Sequence, residues 1–260
     1  MGAVRLTACA VVGGVAGYLT MSPSATASER AFTYAVMHPF YGDIGTLTEV
    51  VDRQSDTTRI DSHLSVAVKL LGIVAYREDN DAVEVMRDDR LISLQCRDTK
   101  NGASSEVQGQ AEGDHFVVNT PAGIFTAPAS VEPSDPWLIK GVGDGVMVST
   151  KSGKILNAHI MGGEEMSVTV QGARVSVRHY TIYTDKLQEV WVDRRDVPVM
   201  FRTLVNGDQI DFVLQTPLPT DELADASSPP LAVPPLAIPL AAAAPATTSP
   251  DSEPPPDTGK

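Results

Sequence analysis

The residues able to do chemistry in this chain are few and widely spaced. Its five histidines are His38, His63, His115, His159 and His179. None stands two or four residues from another, the spacings that would place two imidazoles on one metal ion. Lone histidines on surfaces or strand edges are the expectation. Glu78-Asp79-Asn80-Asp81 has the composition of a calcium loop but not its central glycine or its closing glutamate, so it reads as a charged hairpin tip. Gly141-Val142-Gly143-Asp144-Gly145 lacks the Lys and Ser/Thr of a phosphate loop and reads as a flexible turn. No Gly-x-Ser-x-Gly elbow occurs. Glu189 and Asp193 fall on one side of an extended run and could act as paired carboxylates. Arg178 and Arg194 nearby make neutralised surface charges the better reading. These residues imply no catalytic group, no metal and no cofactor.

The elements that would position any site are strands. The clearest stretch is Glu165–Leu214, a run of Val-, Ile-, Thr-, Tyr- and Phe-rich segments. It divides into Glu165–Val170, Arg174–Tyr183, Leu187–Asp193, Pro198–Val205 and Gln209–Leu214. Gln171-Gly172, Thr184-Asp185-Lys186, Arg194–Val197 and Asn206-Gly207-Asp208 are the turns. Asn-Gly supplies the positive φ that a two-residue hairpin needs. Upstream, Thr57–Leu70 alternates with period two. Ile60, Leu64, Val66, Val68 and Leu70 fall on one flank, and Arg59, Asp61, His63, Ser65 and Lys69 on the other. Gly72 then marks a bulge or bend. Phe32–Met37, Thr46–Asp52, Val74–Arg77, Ala82–Met86, Leu91–Arg97, Ser104–Gln110, His115–Asn119, Ile124–Ala127, Gly145–Thr150 and Ile155–Met161 complete the series. Pro128–Val142 is the one irregular segment, with room for a short helix.

About a dozen strands in series, with short turns and no βαβ alternation, predict a mainly all-β domain. Its sheet is a curled antiparallel meander, half-open or closed like a barrel. On its concave side Leu64, Val66, Val68, Tyr183, Trp191 and Phe212 are the candidates for holding an apolar or lipid-like ligand. The same residues would equally fill a dry core.

The ends have other compositions. Met1–Ala27 carries Arg5, an apolar run from Leu6 to Leu19 and small residues up to Ala27, the layout of a cleavable export signal. That run is short for a membrane span. Twelve of the 19 prolines lie between Pro217 and Pro256, so residues 216–260 read as a disordered tail, either idle or a spacer toward another envelope protein. The body between them is the expected folded domain, 28–215. The ends carry +1 and −5 of the −13 total, which leaves −9 on that body. Such a charge repels phosphate backbones and anionic lipid surfaces, and nucleic acid is not an expected partner. Cys96 is the one cysteine downstream of the signal, so an exported product has no internal disulfide; its apolar neighbours suggest a buried thiol.

An ordered set of motifs runs through this body. It comprises Tyr41-Gly42-Asp43-Ile44-Gly45-Thr46, Leu71-Gly72-Ile73-Val74-Ala75-Tyr76-Arg77, Arg90-Leu91 and Asn101-Gly102. Ala127-Pro128-Ala129, Asp135-Pro136-Trp137, Tyr180 and Asp185-Lys186 follow, then Val190-Trp191-Val192-Asp193, Val197-Pro198-Val199 and Ile210-Asp211-Phe212-Val213-Leu214. In this the chain resembles the uncharacterised exported bacterial proteins grouped as domain of unknown function 6134. The resemblance implies no activity and no functional residue. The layout is also similar to open-barrel envelope proteins that hold lipid or lipoprotein chains, a likeness of fold alone. Together these readings make a periplasmic or secreted envelope protein that binds an apolar chain, with a module binding another envelope protein as the alternative and an enzyme using Glu189 or Asp193 in a cleft as the third reading.

Overall fold

The computed structural model describes residues 28–139, 141–205 and 207–218. The expected signal Met1–Ala27, the tail beyond Leu218 and Asn206 of the last hairpin turn lie outside the described residues.

Fifteen strands form one sheet. They are β1 (Ser28–His38), β2 (Gly42–Arg53), β3 (Thr57–Leu70), β4 (Ile73–Arg87), β5 (Arg90–Lys100), β6 (Ala103–Glu112), β7 (His115–Thr120) and β8 (Gly123–Pro128). Then come β9 (Glu132–Pro133), β10 (Gly143–Val148), β11 (Ile155–Val170), β12 (Ala173–Tyr183), β13 (Leu187–Val192), β14 (Pro198–Val205) and β15 (Asp208–Leu214). The order across the sheet is β8-β7-β6-β5-β4-β3-β2-β1-β15-β14-β13-β12-β11-β10-β9. Strand β1 therefore pairs with both β2 and β15 and ties the two halves of the chain together. Every pairing is antiparallel except the short β9–β10 contact. The sheet is not closed, because β8 and β9 remain its two edges.

Expected and observed strands agree closely where one face is wet. Strand β3 has the bounds read from its alternation, with Ile60 and Val66 buried and Leu64 and Val68 half-buried. Four local expectations are corrected. Glu78–Asp81 is not a turn but the middle of β4, paired with β3 on one side and β5 on the other. Leu71-Gly72 is not a bulge. It is the two-residue turn itself, with φ of 51° and 82°. Ile155–Met161 and Glu165–Val170 are one strand, β11, whose register shifts between Gly162 and Glu164. Gly143–Gly145 belongs to β10 and not to a loop. Further register shifts at Val36/Met37, Val68/Lys69, Val85/Met86 and Trp191/Val192 bend the strands and help the sheet curl.

The curl has an inside. Directly paired residues share a face. The row Leu64–Leu47–Tyr34–Leu214 and the row Val36–Phe212–Phe201–Val190 lie on the concave side. Residues 129–139 cross that space. Val131, Trp137 and Leu138 join the main core, and a single 3₁₀ turn, Pro136–Leu138, is capped by Asp135 accepting from the Trp137 backbone N–H at 2.8 Å. The irregular segment is thus an internal plug.

Because the strands alternate, the turns after β1, β3, β5, β7, β10, β12 and β14 all lie at one end of the sheet, the upper end. The turns after β2, β4, β6, β11 and β13 lie at the lower end.

Candidate functional site

The concave face is the candidate site, and it has three levels. At the lower level the plug meets the wall. The Trp137 ring stands 4.4 Å from the Phe32 ring, and its indole N–H donates to the Glu49 carboxyl on β2. Tyr34 on β1 donates its hydroxyl to the Pro198 carbonyl at 2.9 Å. Burial pushes the Glu49 carboxyl well above the usual carboxylate range, with nearby Asp135 adding to the rise. Burial pushes Asp135 up to about 6. Burial, and then Asp135, raise Glu84 on β4 well above its ordinary value too.

The middle level is held by the β10–β11 turn. Thr150 donates to Glu84, and Lys151 pairs with Glu78. Gly153 presses between β6 and β7. Its φ is +68°, and a side chain there would meet Val118 Cγ1 at 2.9 Å. Asn80 donates to the Cys96 sulfur at 3.1 Å and to Asp98 at 3.3 Å. Cys96 is buried as expected, and burial raises its thiol to about 11.

Toward the upper rim polar and apolar groups alternate on this face, with Leu64 opposite Asn80 and the Tyr76 hydroxyl donating to Glu78. Leu64, Val68, Tyr76, Phe201 and Phe212 are apolar, concave and only half-buried, with Phe201 and Phe212 stacked at 4.4 Å. Two clefts lie outside this row. One of about 400 Å³, at the upper ends of β6 and β7, is bounded by Ser104, Ser105, Glu106, Gln108, Asn119, Thr120 and Pro121. The other, about 240 Å³, runs across β4–β6 and is bounded by Asp81, Val83, Gln95, Cys96, Arg97, Glu106, Val107 and Gln108.

The six residues named from sequence divide between the two faces. Leu64, Val66, Val68 and Phe212 share the concave side. Trp191 does not. It pairs with His179 and Met200, and Met200 pairs with Val213, a row on the opposite side. Trp191 is fully buried there, stacked on His179 at 4.7 Å with the Arg202 guanidinium 5.5 Å from its ring. Tyr183 falls on the same side as Trp191 and is exposed at the upper rim.

Glu189 and Asp193 are buried, not surface charges, and their partners differ from those expected. Glu189 lies 3.5 Å from Arg202 and 3.2 Å from His179. Asp193 accepts from the backbone N–H groups of Arg195 and Val197 at 2.9 and 2.8 Å and closes the β13–β14 turn. Arg178 pairs with Asp196 instead. His63, His115 and His159 are exposed, each beside one aspartate, whereas His38 is buried, 3.7 Å from Asp208. No group of three His, Cys, Asp or Glu among the described residues is placed to hold a metal ion.

Sequence reasoning missed Glu49, Glu84 and Asp135. The first two carried a signal. Glu49 falls in phase with Leu47 and Val51, and Glu84 with Ala82 and Met86, so each is an acid on an apolar flank. What the interior can do chemically is limited. Its carboxyls, raised by burial, accept hydrogen bonds from Trp137 and Thr150, and the plug stands against them.

The fold is that of a curled, barrel-like antiparallel sheet. It is similar to the crystal structure of a beta-barrel-like protein of domain of unknown function DUF1849 from Brucella abortus. The TM-score is 0.55 at 6% identity, over 72% of this chain and 95% of that one. At that identity the likeness concerns the fold alone. No curated protein matches the chain. The family model described as domain of unknown function (DUF6134) matches residues 42–215, and the chain belongs to that family.

Proposed function

We propose that this chain is an exported protein of the cell envelope that binds an apolar, lipid-like chain on the upper part of its concave face, without catalysing a reaction. The observation that carries this reading is the row Leu64, Val68, Tyr76, Phe201 and Phe212. These apolar side chains face inward yet stay half-exposed above a filled floor. Apolar area left accessible inside a curved sheet favours an apolar occupant by about 25 cal/mol per Å² covered. Its rigid backing, the stacked Phe201–Phe212 pair, limits the entropy lost on binding. Export rests on Met1–Ala27, and the family's unassigned role leaves the ligand to be found by measurement.

The test is native mass spectrometry of the full chain purified from its own host. A stoichiometric adduct of lipid mass is expected, lost in Val68→Glu and Phe212→Glu variants that keep the wild-type circular dichroism. Wild-type protein free of any adduct, and indifferent to added fatty acyl chains, would overturn the proposal.

A further inference from the structure

Exposed apolar side chains are not scattered over this molecule. Of the thirteen large exposed ones among the described residues, eleven flank upper-end turns, and Val142 and Met161 are the two exceptions. The lower-end turns are instead polar, as in Gln54-Ser55-Asp56 and Asp88-Asp89. The longest projection is the β3–β4 hairpin. Strand β2 last pairs with β3 at Val66, and β5 last pairs with β4 at Glu78. Beyond that level Asn101 still bonds the Arg77 backbone, and past Arg77 the hairpin has no ladder pairing with β2 or β5. Four further residues to Leu70 carry it about 13 Å past its last pairing with β2, alongside the β1–β2 hairpin that continues to Gly42.

The tip is apolar apart from Lys69. Leu70 pairs with Ile73 on one face, and Val74 pairs with Lys69 on the other. Ile73 is 73% exposed, and Leu71 is wholly exposed. Leu71 also occupies the left-handed region at φ 51°. The other non-glycine residues there are Asp88, Asp89, Asn101, Gln171 and Asp196, all polar. Asn or Asp takes this conformation at lower cost than an aliphatic residue. Leu71 makes up for neither its backbone conformation nor its exposure through burial within this chain.

We propose that the β3–β4 tip is a membrane-docking finger that inserts into a phospholipid bilayer. A hairpin tip with exposed aliphatic side chains on both faces suits a fluid apolar medium, with Lys69 at its base placed to reach the headgroups. Its projection matches the depth of roughly 5–10 Å at which peripheral elements sit in the headgroup–acyl boundary. Phe40 and Tyr41, on the next upper-end turn, are exposed, and Tyr41, with its apolar ring and polar hydroxyl, suits headgroup level. Charge sets the orientation. The body carries −9, and its upper end is the less acidic. Lys69, Arg77, Lys100, Lys151, Lys154 and Lys186 stand there with Asp43, Glu78, Asp79, Asp98, Asp185 and Asp208. The lower-end turns after β2, β4 and β6 hold Asp52, Asp56, Asp88, Asp89, Glu112 and Asp114 with Arg53, Arg59, Arg87 and Arg90. Carboxylates pair with Lys100, Lys151 and Lys154, and none among the described residues pairs with Lys69 or Lys186. The acidic lower end is repelled by an anionic surface, and the upper end turns toward it. Val68 and Tyr76, at the base of the finger, also belong to the concave row, so Phe212→Glu tests the ligand face alone and Leu71→Asn/Ile73→Asn the finger alone.

The test uses the full chain with vesicles of phosphatidylcholine and phosphatidylglycerol. An Ile73→Trp reporter is expected to shift its emission to the blue on vesicle addition and to be quenched by brominated acyl chains. Trp137 and Trp191 are buried and contribute a constant background. A Leu71→Asn/Ile73→Asn variant is expected to lose at least tenfold in vesicle partitioning, with its melting temperature unchanged or raised. Val142→Ser/Met161→Ser is expected to partition as wild type does. An unshifted Ile73→Trp emission would overturn the finger, as would equal partitioning of the Leu71→Asn/Ile73→Asn variant. So would solution dimers that dissociate in that variant while the wild type ignores vesicles.

Discussion

The Trp137 ring packs 4.4 Å from the Phe32 ring at a 53° tilt, joining residues 105 positions apart in sequence. This pair fixes the plug to the wall of the sheet. Trp137 also donates to Glu49, and Arg53 lies 5.8 Å from its ring. Trp137→Ala removes all three contacts and leaves a cavity where both residues are at most 6% exposed. A loss of about 3–5 kcal/mol in urea unfolding is expected. Trp137→Phe keeps most of the packing and leaves Glu49 with Ser62 but without the indole donor, for a loss of about 1–2 kcal/mol.

The interior carboxyls predict an unusual pH dependence. Burial raises Asp135 to about 6, and Glu49 and Glu84 are raised well above their ordinary range. A carboxyl that holds its proton more tightly when folded stabilises the fold at low pH. That contribution fades as pH rises from its unfolded value near 4 through its folded value. For Asp135 the fading ends near pH 6 and amounts to about 2–3 kcal/mol. Glu49 and Glu84 extend it further upward. The melting temperature is therefore expected to fall from pH 5 to pH 8 in scanning calorimetry. Glu49→Gln and Glu84→Gln cannot ionise and should each flatten the slope and raise the melting temperature at pH 8. A profile that rises across this window would exclude neutral carboxyls in the plug.

The thiol of Cys96 is expected to be inert in the folded chain. It is 4% exposed, accepts from Asn80, and is raised by burial to about 11. Thiolate is the reactive form, so little is present at neutral pH. Ellman's reagent should label it only in denaturant, or at the rate of global opening. Complete labelling within seconds in native buffer would show that the β4–β5 wall opens locally.

What was legible in the sequence was what neighbouring residues settle. The bounds of β3 follow from a strand with one wet and one dry flank, and the Asn101-Gly102 turn follows from its backbone chemistry. Glu78–Asp81 was not legible as strand, because its charges are satisfied by residues far along the chain. Glu78 meets Lys151, Asp79 meets Ser65, and Asp81 meets His63. The split between Trp191 and Phe212 was hidden for another reason. Glu189–Val192 are all buried, so alternation in β13 does not say which flank turns inward. Only the register with β14 and β15 does. The plug was seen as irregular, but its place inside the sheet depends on Glu49 and Phe32, which no local pattern links to Trp137.

The Arg202 network gives the last prediction, since its parts are brought together by strand register alone. Glu189, Arg202 and Asp211 are paired positions on β13, β14 and β15 and therefore share a face. Arg202 is 5% exposed and reaches Asp211 with two nitrogens, at 2.7 and 3.0 Å. A third nitrogen lies 3.5 Å from Glu189. Arg202→Leu keeps the apolar stem but strands two acids beside Trp191, and a loss of about 3–5 kcal/mol is expected. Arg202→Lys keeps the charge but cannot span both carboxylates from one planar fork, so it should fall between the two. Adding Glu189→Gln and Asp211→Asn to Arg202→Leu removes the stranded charges and should recover at least half of the loss, measured by urea unfolding of all variants under one buffer. If the triple variant is no more stable than Arg202→Leu alone, the cost lies in packing against Trp191 and not in uncompensated charge.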